Sequence, residues 1–137
     1  MLLGCLIASV IRVVTMPQEE KKMTFVNCSN HPSVRWAEDQ LNAAKNFGDI
    51  VDIAFPNVSP KATHEDVSRM AVDLAGQIET CHPNAVMVQG EMTLTYELVR
   101  RLKADGIVCL AACSERRTIE NGNVKTSVFE FVQFRSY

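Results

Sequence analysis

The sequence predicts a single α/β domain with a mostly parallel sheet, because short apolar strands alternate with amphipathic helices along most of its 137 residues. Each predicted strand ends in turn-forming residues, which is typical of the connection that leads into a crossover helix. The last part changes to β-branched and aromatic residues around an Asn121-Gly122 turn signal. We therefore expect a Rossmann-like, flavodoxin-like three-layer domain over residues 23–137 that ends in a β-hairpin.

Four strands and three helices are predicted before the hairpin. The second helix is the best defined, since Thr63 and Asp66 form a capping-box pattern ahead of an apolar stripe. Gly48 and Gly106 follow the first and third helices as terminators. Right-handed crossovers and a strand order of 2-1-3-4 would place the hairpin at one edge of the sheet. The predicted strands are residues 24–28, 50–55, 85–88 and 107–112, and the hairpin spans 118–134.

Composition and charge exclude several classes of protein. The net charge of −2 gives no broad basic face, so long nucleic acid is not an expected partner. The five cysteines are an odd number without a C-x-x-C pair, which fits neither a disulfide framework nor a zinc site. A reducing, cytoplasmic location fits this cysteine usage best.

The first 22 residues differ from the rest and are interpreted as an extension, or as the product of an upstream start codon. Residues 1–11 are apolar, but this run is shorter than the roughly 20 residues that span a bilayer. It also lacks the basic start of a signal peptide. We therefore expect no membrane association.

Polar turns follow the first, third and fourth predicted strands. In an open parallel sheet, ligands bind beyond the carboxyl ends of the strands, at the point where the order of connection reverses. Here that point lies between the first and third strands, so we expect the three turns to form one crevice. The candidate ligand-binding and catalytic residues are Ser29, Asn30, His31 and Ser33 after the first strand, Gln89, Gly90, Glu91 and Thr93 after the third, and Ser114, Glu115, Arg116 and Arg117 after the fourth.

Several of these residues also have ordinary structural roles open to them. Ser33 and Thr93 are placed to cap helices, and Gly90 can serve backbone geometry alone. His31 can fix its loop by a hydrogen bond or act as a general acid or base. Trp36, in the first helix near the crevice, is more typical of a core residue.

The two adjacent arginines, Arg116 and Arg117, could add a phosphate-binding group to the predicted crevice. One of them can turn into the crevice and bind phosphate through its guanidinium fork, while the other points to solvent. The alternative is an ion pair of either arginine with Glu115 or Glu120.

Known cofactor and catalytic motifs are missing. No G-x-G-x-x-G follows the first strand and no G-x-x-x-x-G-K-[ST] loop occurs, so dinucleotide cofactors and common ATP hydrolysis lose support. The sequence has neither a His and carboxylate cluster for a metal nor a G-x-S-x-G elbow for a serine nucleophile. We expect neither a cofactor nor a metal.

Short elements at these turns resemble those of small CRISPR-associated ring-nuclease-like proteins of the CARF superfamily. They are Asn27-Cys28-Ser29-Asn30-His31-Pro32-Ser33 with Gln40, Gln89-Gly90-Glu91-Met92-Thr93, Ser114-Glu115-Arg116, Glu120 and Phe134-Arg135-Ser136-Tyr137. The resemblance covers roughly residues 23–137, with Glu91 in place of an aspartate. It implies a homodimer that binds a cyclic oligoadenylate, or another small nucleotide, across its two-fold axis.

The resemblance also implies a metal-independent cleavage by a ribose 2′-hydroxyl. Arg116 would then stabilise the developing charge, and Ser29 and Ser114 would hold phosphate with backbone donors near Gly90. His31 or Glu91 would assist proton transfer. Two alternatives stay open, namely a module that senses a nucleotide or a protein partner without turnover, and a small-molecule enzyme of other chemistry.

Overall fold

Strands and helices alternate from Thr24 to Ser136 in the computed structural model, which describes residues 13–137. Residues 13–23 form neither helix nor strand, and the predictions for residues 1–11 and Cys5 lie outside the described residues. A 3₁₀ turn, Ser33–Arg35, precedes the first helix. The strands are β1 (Thr24–Ser29), β2 (Asp49–Ala54), β3 (Ala85–Val88), β4 (Cys109–Asn121) and β5 (Val124–Ser136), and the helices are α1 (Glu38–Lys45), α2 (His64–Glu79) and α3 (Met92–Ala104).

The five strands form one sheet in the order β2-β1-β3-β4-β5. The first four strands are parallel, and β5 runs antiparallel to β4 at the edge. The expected order 2-1-3-4 and the edge position of the hairpin are both confirmed. Cys28 pairs with Ile53 on one side and with Val88 on the other, so β1, β2 and β3 end close to the same level.

The helices cover apolar residues on both faces of the sheet. Alternate strand residues such as Val26 and Val86 pack under α2 and α3, together with Leu74 and Leu98. The opposite face carries Phe25, Met87 and Phe134, and α1 and Trp36 cover it. Trp36 is 9% exposed, so its predicted core position is confirmed.

The helix ends confirm some of the predicted signals and correct others. Thr63 is the N-cap of α2, and its reciprocal bonds with Asp66 form the expected capping box. Gly106 follows α3 with φ +78°, as a terminator should. Gly48 has another role, because α1 already ends at Lys45 and a Cβ at Gly48 would lie 2.3 Å from the Met23 backbone.

The fourth strand is much longer than predicted. It pairs with β3 only through Cys109 and Leu110, and then continues to Asn121 paired with β5 alone. The prediction that residues 113–117 form a polar turn is therefore wrong. A two-stranded ribbon exposed on both faces satisfies its backbone by strand pairing and needs no apolar pattern, which is why this strand resembles a loop in sequence.

We call residues 114–132, which extend beyond the sheet, the hairpin arm. A β-bulge between Cys113 and Ser114 marks its base. Gly122, with φ +64°, and Asn123 form the two-residue turn between Asn121 and Val124, so the turn signal is confirmed.

Candidate functional site

The turns after β1 and β3 meet at the carboxyl edge of the sheet beside Ala112 of β4, whereas residues 114–117 lie beyond this edge on the hairpin arm. The backbone N–H of Gln89 donates to the carbonyl of Cys28 (3.2 Å), which joins the turn after β3 to the end of β1. The Gln89 carboxamide donates to the Ala112 carbonyl (3.3 Å) and accepts from the Ala112 N–H (3.2 Å). The β4 strand is thereby held beside the same edge at the point where it leaves β3.

These bonds give Gln89 and Gly90 structural roles. The Gln89 side chain mimics a backbone pair and extends the β3–β4 ladder by one step. At Gly90, a Cβ would lie 2.3 Å from the ring of Phe55, which is itself buried. Close packing under the turn is therefore sufficient to account for this glycine.

The turn after β1 is organised around a buried amide, Asn27, which is 1% exposed. Its Nδ2 donates to the His31 carbonyl (2.9 Å) and to Asp52 Oδ1 (2.9 Å), and its Oδ1 accepts from the Ser29 hydroxyl (2.7 Å). The Ser29 hydroxyl also accepts the His31 N–H (3.2 Å). Ser29 is buried and fully hydrogen-bonded, so in this state it does not present a free hydroxyl to a ligand.

Ser33 likewise bonds within the protein. Its hydroxyl donates to Asp52 Oδ2 (3.0 Å), and its N–H donates to the same carboxylate (3.2 Å). The predicted capping role is wrong, because the N-cap of α1 is Ala37. Trp36 Nε1 donates to the His31 carbonyl (2.9 Å), so the His31 backbone is fixed while its imidazole is exposed.

Glu91 caps helix α3, the role that the sequence assigned to Thr93. Glu91 Oε2 accepts the Leu94 N–H (2.8 Å) and the Thr93 hydroxyl (2.7 Å). The Leu94 bond, followed by those from Thr93, lowers the pKa of the Glu91 carboxyl. Glu91 is therefore an ionised carboxylate near neutral pH, and it occupies the helix N-terminus that would otherwise attract a phosphate.

The two arginines lie on opposite faces of the hairpin arm. Arg116 Nε and Nη2 donate to the Ser127 hydroxyl (3.2 and 3.0 Å), and the residue directly across from Arg116 is Phe129. Arg117 pairs with Glu130 (3.0 Å), and not with the predicted partners Glu115 or Glu120. Glu115 is exposed and lies opposite Glu130, on the face of Arg117.

We call the face with Arg116 the aromatic face of the arm, because it also carries Phe129 and Phe131. The Phe131 and Phe134 rings lie 4.9 Å apart, and Phe134 lies 6.4 Å from Trp36. This band of rings connects the aromatic face to the turn after β1. Within residues 13–137, the side chains of Asn30, His31 and Ser114 form no hydrogen bond, so with Arg116 they are the polar groups most open to a ligand here.

A groove along α3 is the feature that the sequence analysis missed. Its volume is about 630 Å³, and it is lined by Met92, Tyr96, Val99, Arg100, Lys103 and Tyr137. The groove exists because the short β4–β5 turn replaces a crossover helix, which leaves this face of β4 uncovered beside α3. The spacing of Met92, Tyr96, Arg100 and Lys103 at i, i+4, i+8 and i+11 indicates a second helix face opposite the buried leucines, and it was available in the sequence.

Tyr137 closes one side of this groove. The Tyr137 hydroxyl donates to the Val88 carbonyl (2.6 Å), and the Tyr137 carbonyl accepts from Lys103 Nζ (2.8 Å). Burial, with smaller contributions from Cys109 and Cys113, raises the pKa of the Tyr137 phenol. The phenol therefore stays protonated and remains a donor at neutral pH.

Residues 13–137 hold no group of three or more His, Cys, Asp or Glu side chains arranged to bind a metal ion. In the same part of the chain, no helix combines the length and the apolar character needed to cross a membrane.

These features define an α/β domain with a five-stranded, mostly parallel sheet, compatible with a Rossmann-like domain, and a carboxyl-terminal antiparallel arm. The chain matches the model of the uncharacterized protein MJ1673 family over residues 23–135, and it belongs to that family. No curated protein and no solved structure matches the chain significantly.

Proposed function

We propose that this Rossmann-like domain binds a cyclic oligoadenylate at its carboxyl edge, on the side of the aromatic face. One observation carries the proposal: Arg116 lies directly across from Phe129 on the aromatic face of the arm, and the rings of Phe131, Phe134 and Trp36 lead from the same face to the turn that presents His31. The switch in strand order between β1 and β3 supports this choice, since ligands of open α/β sheets commonly bind beyond the carboxyl ends of the strands at such a switch.

Each part of such a ligand has a matching group. An adenine base can stack on the exposed ring of Phe129, since base stacking on aromatic side chains is worth about 1–3 kcal/mol per base. The Arg116 guanidinium can exchange its bonds to the Ser127 hydroxyl for a fork to phosphate oxygens. Asn30 and Ser114 add neutral donors on either side.

A symmetric ligand suits two copies of the domain related by a two-fold axis. Each copy would contribute one Arg116 and one His31. Cyclic tetra- or hexaadenylate has the even number of repeats that such a pair requires.

Cleavage of the ligand is the more demanding form of the proposal. A ribose 2′-hydroxyl attacks the adjacent phosphorus and loses its proton, and the bond to the 5′-oxygen breaks to give a 2′,3′-cyclic phosphate and a 5′-hydroxyl. Arg116 would stabilise the charge on phosphorus, and His31 would move the proton. Glu91 is less suited to this step, because its carboxylate is ionised and bound to α3.

A sensor without turnover is the second candidate function. The internal hydrogen bonds of Ser29 and Glu91 favour it, because both residues are already used in folding the site.

The test combines binding and product analysis on the purified chain. Cyclic tetra- and hexaadenylate are incubated with the protein, with and without a chelator, and binding is measured by calorimetry. Linear products that persist in chelator support a nuclease, and binding without products supports the sensor. Absence of both binding and products overturns the proposed function.

The matched variants are Arg116→Ala and Arg117→Ala, which remove neighbouring arginines from opposite faces of the arm. Loss of a charge-assisted bond pair should weaken binding about 10- to 100-fold for Arg116→Ala. Arg117→Ala should bind like the unmodified chain. Equal effects of the two substitutions would remove Arg116 from the site.

A further inference from the structure

Two apolar surfaces remain uncovered on the other side of the molecule. One is the groove along α3, where Met92 and Tyr96 are 83% and 68% exposed. The other is the face of the arm opposite Arg116, which we call the aliphatic face because it carries Ile119, Val124 and Val128. Isolated two-stranded ribbons are marginally stable in water, so the arm itself gains from a cover.

The arm cannot cover the groove of its own chain. Seven residues separate Ser114 from Asn121, and at about 3.3 Å per residue the arm extends roughly 23 Å beyond the sheet. Its pairing register has no further irregularity beyond Cys113/Ser114 that would fold the tip back, and Ile119, Val124 and Val128 stay 49%, 61% and 37% exposed, so the aliphatic face does not cover the groove of this chain. Only another molecule can bring the two surfaces together.

The charges of the two surfaces are of opposite sign. Around the groove, Arg100 and Lys103 outnumber Glu97, which pairs with Arg100 (2.9 Å). On the aliphatic face, Glu115 and Glu130 outnumber Arg117. The groove thus carries one excess positive charge and the arm face one excess negative charge.

The groove also contains an unused polar group. The buried Thr95 hydroxyl lines it and forms no hydrogen bond within the described residues. Rotation of the Thr95 side chain toward a covering segment would give this hydroxyl a partner and relieve its cost.

We infer that two copies of this chain exchange arms, so that the aliphatic face of each arm lies in the α3 groove of the other copy. The arrangement is closed and two-fold symmetric, since each copy offers one arm and one groove. It covers both apolar surfaces twice and pairs the opposite charges. It goes beyond the proposed function, because it needs no ligand.

The experiment measures molecular mass in solution without ligand, by sedimentation equilibrium over a range of concentrations. The unmodified chain should have twice the 15.3 kDa mass of one copy. Ile119→Lys places a cation on the arm opposite the basic groove, and Tyr96→Lys places one in the groove. Each variant alone should be monomeric, whereas Thr118→Lys, on the aromatic face beside Ile119, should remain dimeric.

Mixing the two monomeric variants gives the decisive result. The Tyr96→Lys copy keeps an intact arm and the Ile119→Lys copy keeps an intact groove, so one of the two contacts is restored and a weaker mixed dimer should form. All these side chains are exposed, and circular dichroism confirms that the variants fold. A monomeric unmodified chain, a dimeric single variant, dissociation by Thr118→Lys, or a mixture that stays monomeric would each overturn arm exchange. Ligand binding is measured separately by the calorimetric test, so failure of arm exchange and failure of the proposed function are distinguishable.

Discussion

Asn27 shows how a polar side chain can organise a turn from inside the core. It lies on β1 between two apolar neighbours, Val26 and Cys28, and it is as buried as they are. Its amide bonds to the His31 carbonyl, Asp52 and Ser29, and so fixes the turn that presents the His31 imidazole. The position of His31 thus depends on a residue that does not itself reach the solvent.

Replacement of this amide should destabilise the whole domain. We expect Asn27→Ala to lower the free energy of unfolding by about 2–3 kcal/mol, because it removes the nearer acceptor of the buried Ser29 hydroxyl, leaving only the His31 carbonyl at 3.3 Å, and removes two further bonds. Urea denaturation measures the change. Asn30→Ala, three residues on and exposed, is the control and should change stability by less than about 0.5 kcal/mol. Equal effects would mean that the amide network contributes nothing.

Gly90 and Gly76 give a second matched pair. A methyl group at Gly90 meets the buried Phe55 ring at 2.3 Å, whereas one at Gly76, inside α2, meets nothing within 4 Å. We expect Gly90→Ala to destabilise the fold by about 1–3 kcal/mol through overpacking, and Gly76→Ala to stabilise it by about 0.5–1 kcal/mol through helix propensity. Thermal unfolding of both variants tests the pair. A neutral Gly90→Ala would show that close packing against Phe55 does not account for this glycine.

Residue roles at the site were only partly predictable from sequence. The burial of Trp36 was predictable from its residue type, because a large apolar indole is usually placed in the core. The roles of Ser33 and Glu91 were harder to predict, because each side chain can form hydrogen bonds with several groups. Their actual partners are Asp52 for Ser33 and Leu94 for Glu91. Those partners are set by the tertiary fold, which local spacing does not encode.

At the scale of elements, the helix α3 is stabilised at its start by a carboxylate. Since folding lowers the pKa of Glu91 through the Leu94 and Thr93 bonds, its contribution is present above the ordinary glutamate pKa of about 4.3. It is lost as the pH falls through the lower pKa of the folded state.

The pH dependence of Glu91→Gln tests this cap. We expect the variant to be less stable than the unmodified chain at pH 7, with the difference disappearing as the pH falls below about 4. Urea midpoints at several pH values measure it. The capping-box residue Asp66 also has a lowered pKa, so Asp66→Asn must show its own, additive decline. A Glu91→Gln difference that does not change with pH would contradict the charged cap.

Elements were predictable where burial imposes a pattern. The α2 stripe and the continuous apolar run of β3 have one structural solution each, and both lie where the sequence places them. The outer part of β4 has no such pattern, because Ser114, Glu115 and Arg116 are exposed on a ribbon with solvent on both faces. Its length is determined by pairing with β5, some 15 residues away in the chain, which a local window does not detect.

For the molecule as a whole, the buried cysteines report on cooperative unfolding. Burial raises the pKa of the Cys28 thiol to about 12 and that of Cys109 to about 11. At pH 8 both thiols are therefore protonated as well as enclosed.

We expect iodoacetamide at pH 8 to leave Cys28 and Cys109 unmodified in the folded chain and to modify both in urea. Peptide mass mapping measures each site, with the half-buried Cys81 and Cys113 as internal references. Labelling of Cys28 should follow the global unfolding transition, because it lies between the sheet and both α2 and α3. Labelling of Cys28 in native buffer would mean that this part of the core opens locally, at a free energy far below that of global unfolding.

The layout of the molecule was the most predictable level, since right-handed crossovers leave few orders for alternating strands and helices. The sequence did not predict the α3 groove, which is the surface that this arrangement of helices leaves uncovered. The α3 groove depends on the absence of a helix over β4, and Met92 and Tyr96 appear as ordinary helix residues until that gap is known.

The tight Gly122-Asn123 turn has a practical consequence. It lies at the far end of a ribbon that shares only Cys109 and Leu110 with the parallel strands, so the parallel part of the sheet makes no strand pairing with it. A fluorescent domain or an affinity tag inserted between these two residues should leave the open sheet and its helices intact, because exposed loop tips commonly tolerate insertions. Such a fusion would carry the added domain at the tip of the arm, where it can serve for imaging or purification.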